Sequence, residues 1–291
     1  MSAACCDELS VAALAAELAA AGAAAGVPLP DAGKLLVFDE IDSTNAELLR
    51  RLASAGNLHE ADGSLSAAGK DMHLLLAAAS TQTAGRGRVG RKFYSPAGNG
   101  IYFSFVHVPR GAVTDPAAYT AGAAVAVCRA VEALFGVTAQ IKWVNDVYVR
   151  GKKVCGILTE ASLDVESGGL HYAILGIGVN VLPPEGGFPD ELREIAGSVF
   201  ERFDRPDLRC RLAAGILDRF AARYRTLGSE ECFEEYRRRC LVLGRRVTVL
   251  SGGLAVAEGE VLALERDYSL RLRYDDGIEA TLSSGEVSVL P

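Results

Sequence analysis

The spacing of apolar and polar residues changes period along this chain, and each change predicts an element. Leu14 and Leu18 recur at helical spacing in an alanine-rich run, which predicts a helix over 8–25 that stops at Gly26, Pro28 and Pro30. Residues 35–41 read as a strand, and Thr44-Asn45-Ala46-Glu47 forms a capping-box pattern that opens a helix carrying Leu48, Leu49 and Leu52. The small residues of 53–69 predict a loop insertion. Strands are expected at 72–79 and 101–108, followed by a helix that opens at Asp115-Pro116 and closes near Gly136. Three more strands are expected at 139–143, 153–161 and 170–181, with turns at Arg150-Gly151 and Ser167-Gly168-Gly169.

Beyond a Pro/Gly-rich connection at 182–189, helices are predicted at 206–227 and 229–240. From 245 to 290, short alternating runs such as Val247-Thr248-Val249 and Leu270-Arg271-Leu272 sit between Gly, Asp and Ser turns, which suggests a small barrel. The expected fold class is α+β. A mixed β-sheet domain flanked by helices spans 35–240, an alanine-rich extension covers 1–34, and a β module covers 241–291.

Composition narrows the function. With 291 residues, 49% of them hydrophobic, the chain is long enough to bury a core, and it is not a disordered protein. Its net charge of −7 argues against nucleic acid as the main partner, because a phosphate backbone needs a broad basic face. The cysteines Cys5, Cys6, Cys128, Cys155, Cys210, Cys232 and Cys240 are odd in number and contain no C-x-x-C pair. They read as reduced thiols of a cytoplasmic protein, without disulfides or a zinc site. No basic segment precedes the N-terminal alanines, so neither a signal peptide nor a transit peptide fits, and no run approaches a membrane span.

Against this acidic background, Gly85-Arg86-Gly87-Arg88-Val89-Gly90-Arg91 stands out. Glycines let backbone N–H groups approach a ligand closely, and guanidinium forks match carboxylate or phosphate oxygens. A solvated basic turn and a disordered RNA-binding segment share this composition, but the overall charge favours a loop that closes on a small anion. Gly176-Ile177-Gly178-Val179-Asn180 is a lone glycine pattern lacking G-x-G-x-x-G, so a Rossmann reading fails there, and no G-x-x-x-x-G-K-[ST] P-loop occurs. His59, His73, His107 and His171 show no metal-ligand spacing, and no metal site is expected.

The Gly/Arg loop takes its place in a series. Asp42-Ser43-Thr44-Asn45, Ser80-Thr81-Gln82-Thr83 leading into the loop, Lys142-Trp143-Val144-Asn145-Asp146, Lys153-Val154-Cys155-Gly156-Ile157-Leu158 and Gly176-Ile177-Gly178-Val179-Asn180 follow in order. Their order and spacing resemble biotin protein ligases, in the form without an N-terminal DNA-binding domain. The resemblance covers about 35–240, and Gly285-Glu286-Val287-Ser288 in the β-rich tail is similar to the family's SH3-like module. It implies a class II synthetase-like, biotin/lipoate ligase-like sheet. Two residues depart from the family pattern: Phe93 stands where it has tryptophan, and Val144 where it has proline. Phenylalanine keeps an aromatic face but lacks the N–H donor, and valine frees a backbone that proline would hold.

The resemblance implies ATP-dependent attachment of biotin to a lysine of a biotin carboxyl-carrier domain, through biotinyl-5′-adenylate, with Mg²⁺ accompanying ATP. It places biotin against Ser43, Thr44, Asn45, Gln82, Gly85, Arg86, Gly87, Arg88, Lys153 and Gly156. It places ATP against Arg88, Arg91, Lys142, Trp143, Asn145 and Asn180, and assigns catalysis to Arg88, Lys153 and Asp146. Local pattern alone allows Ser43 and Thr44 to be helix caps, Lys153 to be a surface lysine and Trp143 to be core; core packing is the preferred reading for Trp143. The other functions considered are a lipoate or octanoate ligase, a biotin-sensing repressor and a nucleic-acid binder. Monomer and homodimer both remain open, and no DNA or membrane partner is expected.

Overall fold

Every residue from Gly100 to His107 is buried, as a strand must be when it has neighbours on both edges and layers on both faces. The computed structural model describes residues 8–25, 29–109, 115–163, 169–201, 208–251, 254–283 and 286–289. Cys5, Cys6, Gly26, Pro28, Ser167, Gly168, Pro206 and Gly285, named above, lie outside the described residues.

The helices are α1 (Val11–Ala25), α2 (Thr44–Ser54), α3 (Ala67–Met72), α4 (Pro116–Phe135), α5 (Asp190–Arg193), α6 (Leu208–Ala221) and α7 (Glu230–Arg239). Seven strands, β1 (Leu35–Ile41), β2 (Leu76–Gln82), β3 (Gly100–His107), β4 (Ala139–Lys142), β5 (Asp146–Val149), β6 (Lys152–Leu163) and β7 (Leu170–Asn180), form one sheet in the order β1-β2-β3-β7-β6-β5-β4. Only β1 and β2 pair in parallel, so the sheet is mixed, as expected. The strands β8 (Arg246–Ser251), β9 (Leu254–Leu264), β10 (Leu270–Tyr274), β11 (Glu279–Leu282) and β12 (Glu286–Val289) make a second, antiparallel sheet in the order β11-β10-β9-β8-β12.

Strand alternation sorts side chains onto two faces. Phe103 and Phe105 of β3, with Leu175, Ile177 and Val179 of β7, join the main core beneath α4 and α6. Val106 and Ile174 point the other way, into a smaller core closed by Leu48 and Leu52 of α2. That second face is apolar only at the α2 end. Farther along it carries Tyr102, Ser104, Gly176, Gly178 and Gly156, small or polar positions over which a cleft opens.

Several elements differ from expectation. The stretch 53–69 is not all loop: Leu58 and Leu65 are buried in the second core, and Ser66 caps α3, its Oγ accepting from Gly69 N. The strand predicted at 72–79 begins only at Leu76, because α3 runs to Met72 and Leu74 turns the chain at φ 63°. A fourth strand, β5, completes a tight hairpin with β6 through Arg150 and Gly151, both at positive φ. The helix expected to end at 227 stops at Ala221 and gives way to a short 3₁₀ turn, Tyr224–Thr226. Contrary to expectation, α4 is long and apolar enough to cross a membrane by length and composition. It is a core helix, with most of its residues buried between the sheet, α6 and α7. Leu14 and Leu18 also reach the main core, where α1 packs on α6.

The two sheets share that core. Val247, Val261, Leu270 and Leu272 belong to it, and the Tyr268 ring packs edge-on to Tyr236 of α7, centroids 5.3 Å apart. Trp143, at the end of β4, donates its indole N–H to Tyr268 O at 2.7 Å. α7 is itself bound to α4 by ion pairs of Arg129 with Glu235 and of Arg239 with Glu132.

Candidate active site

Four segments converge on a cleft of about 250 Å³ above the glycine positions of β6 and β7. Gly156, Gly178 and Tyr102 are in register across β6, β7 and β3, and Leu158, Gly176 and Ser104 are in register one step along. The glycines make room for what lies on them. A Cβ on Gly176 would come within 2.0 Å of Asn45 Oδ1, and one on Gly178 within 2.5 Å of the Phe93 ring.

One end of the cleft is a polar network built by the start of α2. Ser43 is the N-cap, one residue before the predicted box, with Oγ accepting from Ala46 N at 3.5 Å. Glu47, the far member of that box, pairs with Arg50 and Arg51 instead. Thr44 N donates to Gln82 Oε1 at 2.9 Å, and Thr44 Oγ1 lies 2.6 Å from Ser104 Oγ. Ser104 Oγ donates to Asn45 Oδ1 (2.5 Å), and Asn45 Nδ2 donates to Glu160 Oε2 (2.8 Å). Ser43, Thr44 and Asn45 are all buried, so these bonds hold their polar atoms in a fixed pattern.

The Gly/Arg loop is a short hairpin over the cleft. Phe93 N donates to Gly85 O and Gly87 N to Arg91 O, while Gly90 turns the tip at φ 72°. Arg86 forms a forked pair with Glu160, Nη2 to Oε1 at 3.0 Å and Nη1 to Oε2 at 3.3 Å. Arg88 reaches Asn145 Oδ1 at 3.3 Å, and Asn145 Nδ2 is anchored on Ile157 O at 2.8 Å. Lys153 Nζ meets Asp146 Oδ2 at 2.7 Å, and Asp146 Oδ1 is buried with no partner. Burial pushes the Cys155 thiol and the Tyr236 hydroxyl up, so both stay neutral beside the site.

The lining side chains include Arg86, Arg88, Arg91, Lys92, Lys142 and Lys153 against a single carboxylate, Asp146. That imbalance, in a chain of net charge −7, makes the cleft a focus for anions. All the sequence-derived site residues line it except Gly85. Gly85 lies behind the loop, where a Cβ would strike Phe93 O at 2.4 Å. Trp143 lines the cleft with its body while its N–H faces the second sheet. Asn180 donates to Gly197 O at 3.2 Å and keeps a buried, unpartnered Oδ1.

Sequence reasoning passed over Ser104, Glu160 and the segment carrying Phe188, Leu192, Ile195 and Ala196, which walls the cleft. That segment docks on the backbone of Lys153: Lys153 N donates to Ile195 O and Gly197 N to Lys153 O, each at 2.8 Å. The alternation 156, 158, 160 along β6 would have placed Glu160 on the cleft face.

A family model of biotin/lipoate A/B protein ligases matches residues 65–180, which carry the Gly/Arg loop, Asp146, Lys153 and Asn180. The biotin–(acetyl-CoA-carboxylase) ligase of Mycobacterium tuberculosis is 32% identical over 263 residues, covering 87% of this chain and 88% of its own. The chain belongs to the biotin protein ligase family. Bifunctional ligase/repressor BirA of Bacillus subtilis is 35% identical over 193 residues, 66% of this chain and 54% of its own, so the match spans about half the length of that relative. Among solved biotin protein ligases, that of Aquifex aeolicus in complex with biotin and ATP has a TM-score of 0.65 at 25% identity, over 88% of this chain and 98% of its own. The Leishmania major biotin protein ligase in complex with biotinyl-5-AMP, at 21% identity and TM-score 0.53, shares the fold.

Proposed function

We propose that this protein attaches biotin to a lysine of a biotin carboxyl-carrier domain, using ATP and passing through biotinyl-5′-adenylate. The observation that carries this reading is the pairing of a neutral hydrogen-bonding end, at Thr44, Asn45 and Gln82, with a cationic end at Arg88 and Lys153, in one cleft. A ureido ring needs the first and a carboxylate meeting a triphosphate needs the second.

In the first step a biotin carboxylate oxygen attacks the α-phosphorus, the bond from that phosphorus to the bridging oxygen breaks, and pyrophosphate leaves. Arg88 and Lys153 both line the cleft, paired with the adjacent residues Asn145 and Asp146, so both can stabilise the charge on the α-phosphoryl group. In the second step the lysine amine attacks the carbonyl carbon of the mixed anhydride, AMP leaves, and the amine proton passes to a base. In this reading Asp146 takes that proton, and its unpartnered Oδ1 supports the role. Asn145, Lys142 and Asn180 serve the nucleotide side, and Asn45 and Gln82 the biotin side. Among the described residues there is no cluster of three His, Cys, Asp or Glu side chains that could hold a metal. Mg²⁺ would therefore be held mainly by the nucleotide's oxygens, where it neutralises phosphate charge.

The decisive experiment weighs a carrier domain after incubation with this protein, ATP and either biotin or lipoate. The reading requires the mass of one biotinyl group, needing both ATP and biotin, and none from lipoate. An unmodified carrier overturns it, and lipoylation redirects it.

A further inference from the structure

Two cleft residues, Arg86 of the loop and Asn45 of α2, end on the same carboxylate, although Glu160 itself does not line the cleft. We propose that Glu160 is a positioning residue that latches the Gly/Arg loop through Arg86 and sets the direction of the hydrogen-bond chain at the biotin end through Asn45. This rests on the proposed biotin ligation and concerns how the site is made ready for it.

The chemistry of the chain follows from one end. A carboxylate has no proton to give, so Asn45 must turn Nδ2 toward Glu160 and Oδ1 toward Ser104. Ser104 must then donate to Asn45. Three oxygen-to-oxygen contacts run from Asn45 to Gln82: Ser104 to Asn45 at 2.5 Å, Ser104 to Thr44 at 2.6 Å and Thr44 to Gln82 at 3.2 Å. Only the hydroxyls of Ser104 and Thr44 supply protons to them. Those two protons go to Asn45 and to Ser104, and with Thr44 N already donating to Gln82 Oε1, the second lone pair of that oxygen is left, beside the cleft, for a ligand N–H. Reversing the Asn45 amide would pass a proton down the chain and remove that acceptor.

Glu160 also ties together the two ends of the loop. Arg86, near its start, is held by the forked pair. From Gln82, Nε2 donates to Ser95 Oγ at 3.1 Å, and Ser95 Oγ donates to Phe93 O at 3.0 Å, beyond the loop's last arginine. Arg86 is thereby a tether, which leaves Arg88 and Arg91 as the guanidinium groups of this hairpin that face the cleft. A ligand that completes the Thr44–Gln82 end is thus coupled to the closed loop through one continuous chain of polar groups.

Glu160→Gln tests the latch, because it keeps the volume, removes the charge and presents an N–H to Arg86. Hydrogen exchange of amides 85–92 in the ligand-free variant should quicken about tenfold, and the biotin Kd should rise about tenfold, the scale of one lost charge-assisted bond. The Kd for ATP should rise less than that for biotin, with the thermal midpoint near wild type. Adding Arg86→Gln to Glu160→Gln should speed loop exchange no further, since both remove the same pair. Wild-type loop exchange and biotin affinity in Glu160→Gln overturn the proposal. So does an equal loss of biotin binding, ATP binding and thermal midpoint, which marks a merely structural residue. Should Glu160→Gln fail to fold, unchanged loop exchange in Arg86→Gln alone overturns it. If the wild-type protein binds no biotin, the ligation reading falls while the exchange arm still reads the latch.

Discussion

Lys153 Nζ sits 2.7 Å from Asp146 Oδ2, joining two groups from neighbouring strands that the proposed chemistry uses in different steps. The cation has a partner before any anion arrives. Both side chains are largely shielded, with exposures of 27% and 18%, so removing either leaves the other poorly solvated.

The first expectation concerns the cations. Lys153→Ala and Arg88→Ala each remove positive charge where the adenylation transition state gathers negative charge, a loss of about 3 to 4 kcal/mol for one such donor. Biotin-dependent pyrophosphate release should fall by roughly two to three orders of magnitude in each variant. Release at the wild-type rate in both would move the phosphate site elsewhere.

Asp146→Asn should separate the two steps. Adenylation needs no base at this position, whereas the carrier amine must lose a proton. Single-turnover transfer from preformed biotinyl-adenylate should slow more than adenylate formation does. If adenylation suffers more, Asp146 instead serves Lys142 or the metal-bound phosphates.

A methyl group at Gly176 tests the glycine floor. With its Cβ 2.0 Å from Asn45 Oδ1, Gly176→Ala must displace the Asn45 amide. Overpacking of this kind costs about 1 to 3 kcal/mol of stability. Biotin affinity measured by titration calorimetry should drop about tenfold or more, the equivalent of about 1.4 kcal/mol. Unaltered affinity would show that Asn45 can move at no cost to the site.

His107 supplies a pH signature far from the chemistry. Burial, reinforced by His73, pushes its pKa from 6.5 down to about 3, and its Nδ1 bonds to the Tyr119 hydroxyl at 3.0 Å. The rings of His73, Tyr119 and Tyr224 face it. The unfolded chain therefore takes up a proton as pH falls below 6.5, and the native protein does not do so until about 3. Stability from this residue is complete above the unfolded value and lost on acidification, by about 1.4 kcal/mol per pH unit. Urea unfolding at pH 7.5 and 5.5 should show a drop that is smaller by about 1 kcal/mol in His107→Gln. Equal drops would mean that another group titrates there.

The sequence disclosed the strongly patterned parts of this molecule. β1 lies where residues 35–41 read as a strand, and α4 runs from the Asp115-Pro116 start to the Gly136 stop because cap and breaker are local signals. Residues 76–82 were misjudged because apolar character begins at 72, whereas the hydrogen bonds of the sheet begin later. β5 escaped notice because four residues carry too little period to stand apart from the motif that precedes them. In the site, residue types with distinctive chemistry were legible: arginines among glycines, and Lys153 heading an apolar strand. Glu160 and Ser104 were not, because their importance comes from partners 74 and 60 residues away. Ile195 and Ala196 wall the cleft through backbone pairing with Lys153, which no side-chain pattern records.

The bond from Trp143 Nε1 to Tyr268 O has a meaning for truncation. A chain cut between the two sheets would strip the acceptor from an indole that is 4% exposed, two positions before Asn145, and would uncover the Tyr236 surface on which Tyr268 rests. Tyr236 in turn donates its hydroxyl to Val144 O at 3.0 Å. The strand-end turn from Trp143 to Asp146 is therefore clamped from two directions by groups that lie more than ninety residues downstream. Groups synthesised later thus hold in shape a turn made earlier, so the cleft takes its final form only when α7 and the second sheet have docked.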